Sequence, residues 1–502
     1  MRGGLLTSPG GVYITIDILL ATACKGLPAA PEEPVGAVAE LDIGSTVDRH
    51  QKLPVVQFLR DYVAANKPVV LTSVVSHWPA YSNWTDDYLC SMAGDTEVTV
   101  ALTPNGRADA VTRLPGAANG ASSPASGSDS SSGSPAPPGS EDGPRGAGEE
   151  AAEAARAGLP GTPGQCFALP HQVKMPLRDF LALLRSSKQQ KAAAAADGGV
   201  AANGSGEAAA PQLPPSVVPY LQYQNSSLTA EVPQLLGDID LLLSWATQAF
   251  GGLPEAVNLW IGDERSITSW HKDPFENIYA GMPAACLLAG SKTFTLLPPA
   301  DAFRMRMKRY PQATYKPAAA AAAARPGFAS ASSDSISDGV EAVLSGTVAL
   351  EPVLDEPGEE VLWSSVVPAA DAAALAAAAG GGGGSGVPGA APLQGRDLFS
   401  DPSLPPPITV TVKAGEALYL PAMWWHQVEQ KPDAAGRAIA VNYWYDMKFD
   451  ARQAYLLAVE RLATLLGLNE EPPPPPPPGS VASDHGHEHP QLRPPYHQRA
   501  AG

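Results

Sequence analysis

The sequence predicts a mainly β fold, a small barrel with flanking helices that carries long disordered insertions. Short apolar or alternating runs end in turn residues: Ala256–Gly262 runs into Asp263-Glu264-Arg265, and Ile408–Val412 runs into Lys413-Ala414-Gly415-Glu416. Strict alternation puts every second side chain on one face, which is the mark of a half-buried strand. The 48 Gly and 52 Pro gather in tracts of biased composition, and such tracts bury too little apolar surface to fold. Two strand-like runs also lead into histidines, His271 and His426.

A length of 502 residues would by itself suggest several domains,. The tracts argue for one. An N-terminal extension covers 1–45, and insertions fall at about 113–164, 188–213, 317–338 and 369–393. A Pro/His-rich tail follows from 469, with Pro472–Pro478 and His485, His487 and His489 in it. What remains between 46 and 449 is roughly 300 residues, the size of one catalytic domain with a helical lead-in. Asp450–Leu466 has apolar residues at helical spacing and predicts a helix over 450–468,.

The chemistry concentrates in Thr268-Ser-Trp-His-Lys-Asp273 and Leu420-Pro-Ala-Met-Trp-Trp-His426. A His-x-Asp pair on a strand places both side chains on one face, and a distant His on an adjoining strand completes a three-cornered metal site. Two imidazoles and one carboxylate leave positions open, as in non-haem Fe(II) oxygenases. The chain has nine histidines, so His271-x-Asp273 alone would carry little weight; its flanking strand and turn signals give it weight. Asp273 and His426 lie 153 residues apart. Two of the biased tracts fill much of that interval, so the distance suits one barrel. Trp270 and Trp425 flank the ligands and fit either support of the site or plain core packing,.

Asn258–Pro299 together with Ala414–Tyr445 resembles a Jumonji-C oxygenase of the cupin type. Within that family the chain is most similar to the small lysyl (3S)-hydroxylase group. The similarity extends to Phe58–Tyr62, His77–Ala80, Thr96–Val111, Phe167–Pro170, Pro176–Leu181, Tyr220–Gln224 and Tyr443–Phe449, in collinear order. It implies a double-stranded β-helix, the jelly-roll or cupin barrel. It also implies Fe(II) held by His271, Asp273 and His426, with 2-oxoglutarate and O2 as cosubstrates. Lys292 matches the cationic anchor for the remote carboxylate, Thr268 its hydroxyl partner and Tyr220 its phenol partner. Tyr223 is an alternative for the phenol, and core packing is an alternative for Tyr220. Asn277 and Asn442 match polar positions near the iron. A buried carboxylate needs such a cation and such donors. The segment Ala280–Ser291 is longer than the family pattern, as a bulged loop or a retained intron would make it.

By the same resemblance the substrate is a protein presenting a lysine, a GTPase of the translation-factor class, and a homodimer through helices beyond the last strand is an option. A histone or protein lysine demethylase would share the triad, but no reader domain or zinc-finger cluster accompanies it. A histone-tail peptidase would need a nucleophile constellation that the sequence does not offer. A non-catalytic cupin scaffold would need neither the triad nor Lys292.

A net charge of −18 and a pI near 4.9 argue against nonspecific nucleic-acid binding and suit a basic protein partner,. Cys24, Cys90, Cys166 and Cys286 show no CxxC or disulfide-framework spacing, which fits a cytoplasmic or nuclear setting. Val12–Cys24 loosely resembles a short targeting segment but is too short to span a membrane,.

Overall fold

The computed structural model describes residues 45–115, 164–196, 217–224, 226–282, 290–318, 342–345, 347–356, 358–366, 398–401 and 404–473. The N-terminal extension, most of the four expected insertions, residues 283–289 of the lengthened segment and the tail from 474 lie outside these. Among the described residues no helix is long and apolar enough to cross a membrane.

Numbered along the chain, the strands form three sheets. In spatial order, the first holds β1 (Asp48–His50), β2 (Val69–Leu71), β16 (Ala417–Leu420), β10 (Phe275–Met282), β18 (Ala438–Asp446), β8 (Ala256–Gly262), β7 (Val218–Leu221), β3 (Glu97–Thr103) and β6 (His171–Pro176). The second holds β15 (Ile408–Lys413), β11 (Ser291–Leu297), β17 (Trp425–Lys431) and β9 (Thr268–His271). The third holds β13 (Leu350–Leu354), β12 (Met307–Pro317), β5 (Gln165–Leu169) and β4 (Ala110–Arg113), with β14 (Glu360–Ser364) paired to β12.

From β8 to β11, and again from β15 to β18, each strand lies in the opposite sheet from the one before it. That alternation winds the chain as a double-stranded β-helix. The turn residues Lys413–Glu416, a hairpin-like signal in the sequence, form a corner between sheets instead, because β15 and β16 belong to different sheets. The turn chemistry is real, with Gly415 at φ +83° and Glu416 N donating to Lys413 O at 3.0 Å. Such local chemistry does not encode which sheet receives the next strand.

Period-two alternation sorts the first sheet into two cores. Val257, Leu259 and Ile261 of β8, Ile278 and Ala280 of β10, and Val441, Tyr443 and Tyr445 of β18 face outward to a helical layer with Phe58, Trp78, Trp84 and Leu181. Their neighbours Trp260, Tyr279 and Ala440 face the second sheet, where they meet Phe294, Leu296, Val410 and Val428. Each fully buried aliphatic or Phe side chain stabilises this arrangement by about 1.5–3 kcal/mol.

The helix Leu177–Ala196 continues past residue 188, where disorder was expected. Lys191 is followed by Ala192–Ala196, and alanine is the best helix former, so the run prolongs the helix instead of ending it. The C-terminal helix Ala451–Leu465 begins at Asp450, whose carboxylate accepts from Arg452 N at 2.9 Å. It packs on its own barrel: Leu456 joins Ala422, Met423 and Met447, and Ala463 joins Phe303 and Leu398.

Candidate metal and cosubstrate site

The barrel interior opens to a small cavity whose lining includes His271, Asp273 and His426. These three residues offer ligand atoms that all lie within 4.8 Å of one another. Asp273 Oδ2 is 3.9 Å from His271 Nε2 and 3.7 Å from His426 Nε2, and the two imidazole centroids are 4.0 Å apart. Divalent ions bind N and O at about 2.0–2.2 Å, so one ion can bridge atoms at this spacing.

Backbone carbonyls decide which ring nitrogens are offered. His271 Nδ1 lies 2.7 Å from Ser269 O, and His426 Nδ1 lies 3.0 Å from Trp424 O. A carbonyl only accepts, so each Nδ1 carries the proton and each Nε2 turns its lone pair to the shared centre. Burial, and then the neighbouring His271, hold His426 well below its ordinary pKa, with the Trp424 carbonyl opposing. It is therefore neutral, as a ligand must be. The donor set fits a divalent metal.

Two backbone irregularities bring these candidate ligands together. β9 pairs β17 through His271↔His426 and Thr268↔Val428, with a register shift between them. Residues 268 and 271 would face opposite ways on a regular strand; the extra residue of the bulge brings both to the cavity,. The expected His-x-Asp strand pair is corrected, because β9 ends at His271 and Asp273 sits in the connection to β10. Pro274 follows it and has no N–H for a ladder,. Asp273 is held instead by its carbonyl, which accepts from Met423 N at 2.8 Å.

Met423 has a left-handed backbone, φ +67°, which costs about 1–3 kcal/mol for such a residue. Glu276 offsets it by accepting from Ala422 N at 3.1 Å and from the Tyr419 hydroxyl at 2.8 Å. Burial pushes the Glu276 carboxyl up, against both hydrogen bonds. Glu276→Leu strands both donors, and each buried unmet donor costs about 1–3 kcal/mol. Urea denaturation should show that loss, while Glu276→Gln, which keeps an acceptor oxygen, stays near the parent.

The remaining expected residues converge on the same barrel. Lys292 is 2 % exposed, and its Nζ donates to Tyr220 OH at 2.9 Å. It also lies over the Tyr220, Tyr279 and Trp260 rings at 5.1, 5.7 and 5.9 Å. Burial alone lowers its pKa to about 7, since no carboxylate among the described residues is paired with it. Its ammonium stands behind the Tyr220 phenol and is not itself part of the cavity wall. Burial raises the Tyr220 phenol, with the Thr268 hydroxyl as a hydrogen-bond partner that opposes. Asn442 accepts from Trp260 Nε1 at 2.8 Å and donates to Asn277 Oδ1 at 3.3 Å. Tyr223 does not line the cavity; Gln224 does. Trp270 and Trp425 pack with Leu297, Ala302 and Met305 outside it.

Several wall residues escaped sequence reasoning: Tyr279, Phe294, Val428 and Trp444. Each stands two residues after an assigned one, namely Asn277, Lys292, His426 and Asn442. Stepping by two along each strand would have found them. The third sheet backs the site, because Trp363 Nε1 donates to Ser269 Oγ at 3.4 Å and Ser269 Oγ donates to Asp109 O at 2.7 Å.

Comparison with known proteins agrees with this architecture. The cupin-like domain family matches residues 55–451. The chain is 34% identical over 427 residues to the lysine-specific demethylase JMJ32 of Arabidopsis thaliana, covering 85% of this chain and 89% of that protein. It is 28% identical over 436 residues to the human bifunctional peptidase and (3S)-lysyl hydroxylase JMJD7, covering 86% and 94%. It is also 28% identical over 414 residues to the JmjC domain-containing protein E of Dictyostelium discoideum, covering 82% and 86%. The chain belongs to the cupin-like Jumonji-C family, a family of oxygenases that in general depend on Fe(II) and 2-oxoglutarate.

Proposed function

We propose that the protein is an Fe(II)- and 2-oxoglutarate-dependent hydroxylase that acts at a carbon of a lysine side chain in a partner protein. The observation that carries this reading is one cavity lined by the His271–Asp273–His426 cluster and by Tyr220, with the Lys292 ammonium hydrogen-bonded to the Tyr220 phenol. His271 and His426 would hold the metal through Nε2. Asp273 would hold it through a carboxylate oxygen and offset its charge. When bound, the iron with 2-oxoglutarate and dioxygen supplies an oxidant able to hydroxylate an unactivated C–H, with succinate and CO2 as by-products.

The chain's own residues do the positioning. Lys292, Tyr220 and Thr268 would take the remote carboxylate of the cosubstrate, a charge that could not be buried without them. Asn277 and Asn442, tied to each other and to Trp260, would fix the polar wall beside the metal. Phe294, Val428 and Trp444 keep the wall apolar and limit water near the reacting carbon,.

The hydroxylation reading takes its support from the bifunctional hydroxylase relative, 28% identical and covered over 94% of its length. Demethylation is the second reading, favoured by the 34% identity to a relative named as a demethylase. Among the described residues no Cys or Ser lines the cavity, so the peptidase reading has no Cys or Ser nucleophile there. By the family resemblance, the partner is a GTPase of the translation-factor class.

The test incubates lysine and methyl-lysine peptides from such GTPases with the protein, Fe(II), ascorbate and 2-oxoglutarate, and reads intact mass. Gain of one oxygen on unmethylated lysine, lost in His271→Ala, is the expected result. Loss of methyl groups instead would replace hydroxylase by demethylase.

A further inference from the structure

Of the buried polar side-chain atoms that have no partner among the described residues, two lie beside Tyr220, which holds Lys292. One is Gln430 Oε1 and the other is Ser266 Oγ, on side chains 7 % and 2 % exposed. Gln430 Nε2 donates to Asp263 O at 2.8 Å, which fixes the amide's orientation and leaves Oε1 as the free end. A buried acceptor or hydroxyl left unmet is costly and calls for an explanation.

Register supplies one. Gln430 stands directly across from Lys292 in the β11–β17 pair. Residues opposite each other in an antiparallel pair are about 4.5–5.5 Å apart at Cα and share a face. Along β17 the inward residues are His426, Val428 and Gln430, so Gln430 is two steps deeper in the barrel than Val428 of the cavity wall. Gly262 locates the cluster: a methyl group there would lie 2.6 Å from Gln430 Nε2, 2.6 Å from Tyr220 Cδ2 and 3.0 Å from Ser266 Oγ. Gln430, Ser266 and Tyr220 therefore meet over a residue that has no side chain.

Lys292 needs what this cluster has. An ammonium offers three N–H donors, and among the described residues Nζ has one hydrogen bond, to Tyr220 OH. Aromatic faces supply part of the remaining stabilisation,. We propose that Gln430, with Ser266, is a positioning residue of the cosubstrate anchor: its Oε1, through one bridging water, holds the Lys292 ammonium charged and aimed at the incoming carboxylate. The proposal rests on the 2-oxoglutarate reading given above. A water spanning two polar groups is nearly as good as a direct hydrogen bond, and a water here would meet Oε1, Oγ and Nζ, enough partners to be ordered.

The test is calorimetry on the Fe(II)-loaded full chain without oxygen, using two 2-oxo acids. 2-Oxoglutarate carries the remote carboxylate, and 2-oxopentanoate has a methyl group in its place. Gln430→Met, which keeps length and loses the acceptor, should weaken 2-oxoglutarate about tenfold and leave 2-oxopentanoate unchanged. Ser266→Ala should act in the same direction by about threefold, in keeping with a weaker neutral acceptor, and decides the matter if Gln430→Met fails to fold. Unchanged affinity for 2-oxoglutarate in the variants, or an equal loss for both acids, overturns the proposal and leaves the cosubstrate reading standing. Failure of the parent protein to bind 2-oxoglutarate overturns that reading and the proposal with it.

Discussion

Asp273→Ala lowers Fe(II) affinity by at least about 100-fold and abolishes turnover, since even outer partners of metal ligands carry 10–100-fold. Fold should survive. The carboxylate is 6 % exposed, set between two imidazoles, and burying a charge there without a metal is unfavourable. The hydrogen bond from Met423 N goes to the backbone carbonyl of Asp273 and is kept in the variant. The metal-free variant should therefore melt no lower than the metal-free parent, while added Fe(II) raises the melting temperature of the parent alone. Anaerobic calorimetry and a thermal scan measure both. Parent-like metal affinity in Asp273→Ala would remove Asp273 from the ligand set.

Lys292→Met is the second large effect. Removing one partner of a buried, hydrogen-bonded charge pair costs about 2–5 kcal/mol, so 2-oxoglutarate affinity should fall by about thirtyfold or more. The metal site, on other residues, keeps its affinity. Stability moves the other way, with a defined pH dependence. The Lys292 pKa is lowered by burial to about 7 from 10.5, so between those values the unfolded chain binds more protons than the folded one. Parent stability therefore rises with pH across that window. Below about 7 both states are charged and the burial penalty is in full force, so Lys292→Met stabilises most there. The advantage shrinks towards pH 10.5, where neither state is charged. Urea midpoints at several pH values test it, and a midpoint difference independent of pH would contradict the burial of a titrating ammonium.

The sequence was legible where local pattern and local chemistry coincide. Ile408–Val412 alternates and is a strand; Asp450 caps the helix that follows it. The three candidate ligands stand out because strand-like runs lead towards them, and the structure places their ligand atoms within 4.8 Å of one another. Connectivity was less legible. A sheet-crossing corner and a hairpin turn use the same Gly and Glu, so Lys413–Glu416 could not announce that β16 joins the other sheet. The bulge at Thr268–His271 was illegible for a related reason, since no residue type in Thr-Ser-Trp-His demands an extra residue. Only the partner strand reveals the break in phase. Met423 was hidden as well, because long side chains seldom take a left-handed backbone and nothing in Pro-Ala-Met-Trp signals one,.

The sheet-to-sheet winding has a consequence for how this chain has grown. His271 and His426 sit opposite each other on adjacent strands although 155 residues separate them. The entropy of closing a flexible loop rises only logarithmically with its length, by about 0.6 kcal/mol for each doubling. The chain leaves the two-sheet winding after β11 and re-enters it at β15, so length added between them breaks no pairing of the strands that carry the two histidines. Thermodynamics thus sets little limit on the length of these connections, and the folding rate bears the burden, because contacts so distant in sequence form slowly. Shortening the 319–341 and 367–397 segments should accelerate refolding far more than it raises equilibrium stability, a difference stopped-flow kinetics can read directly.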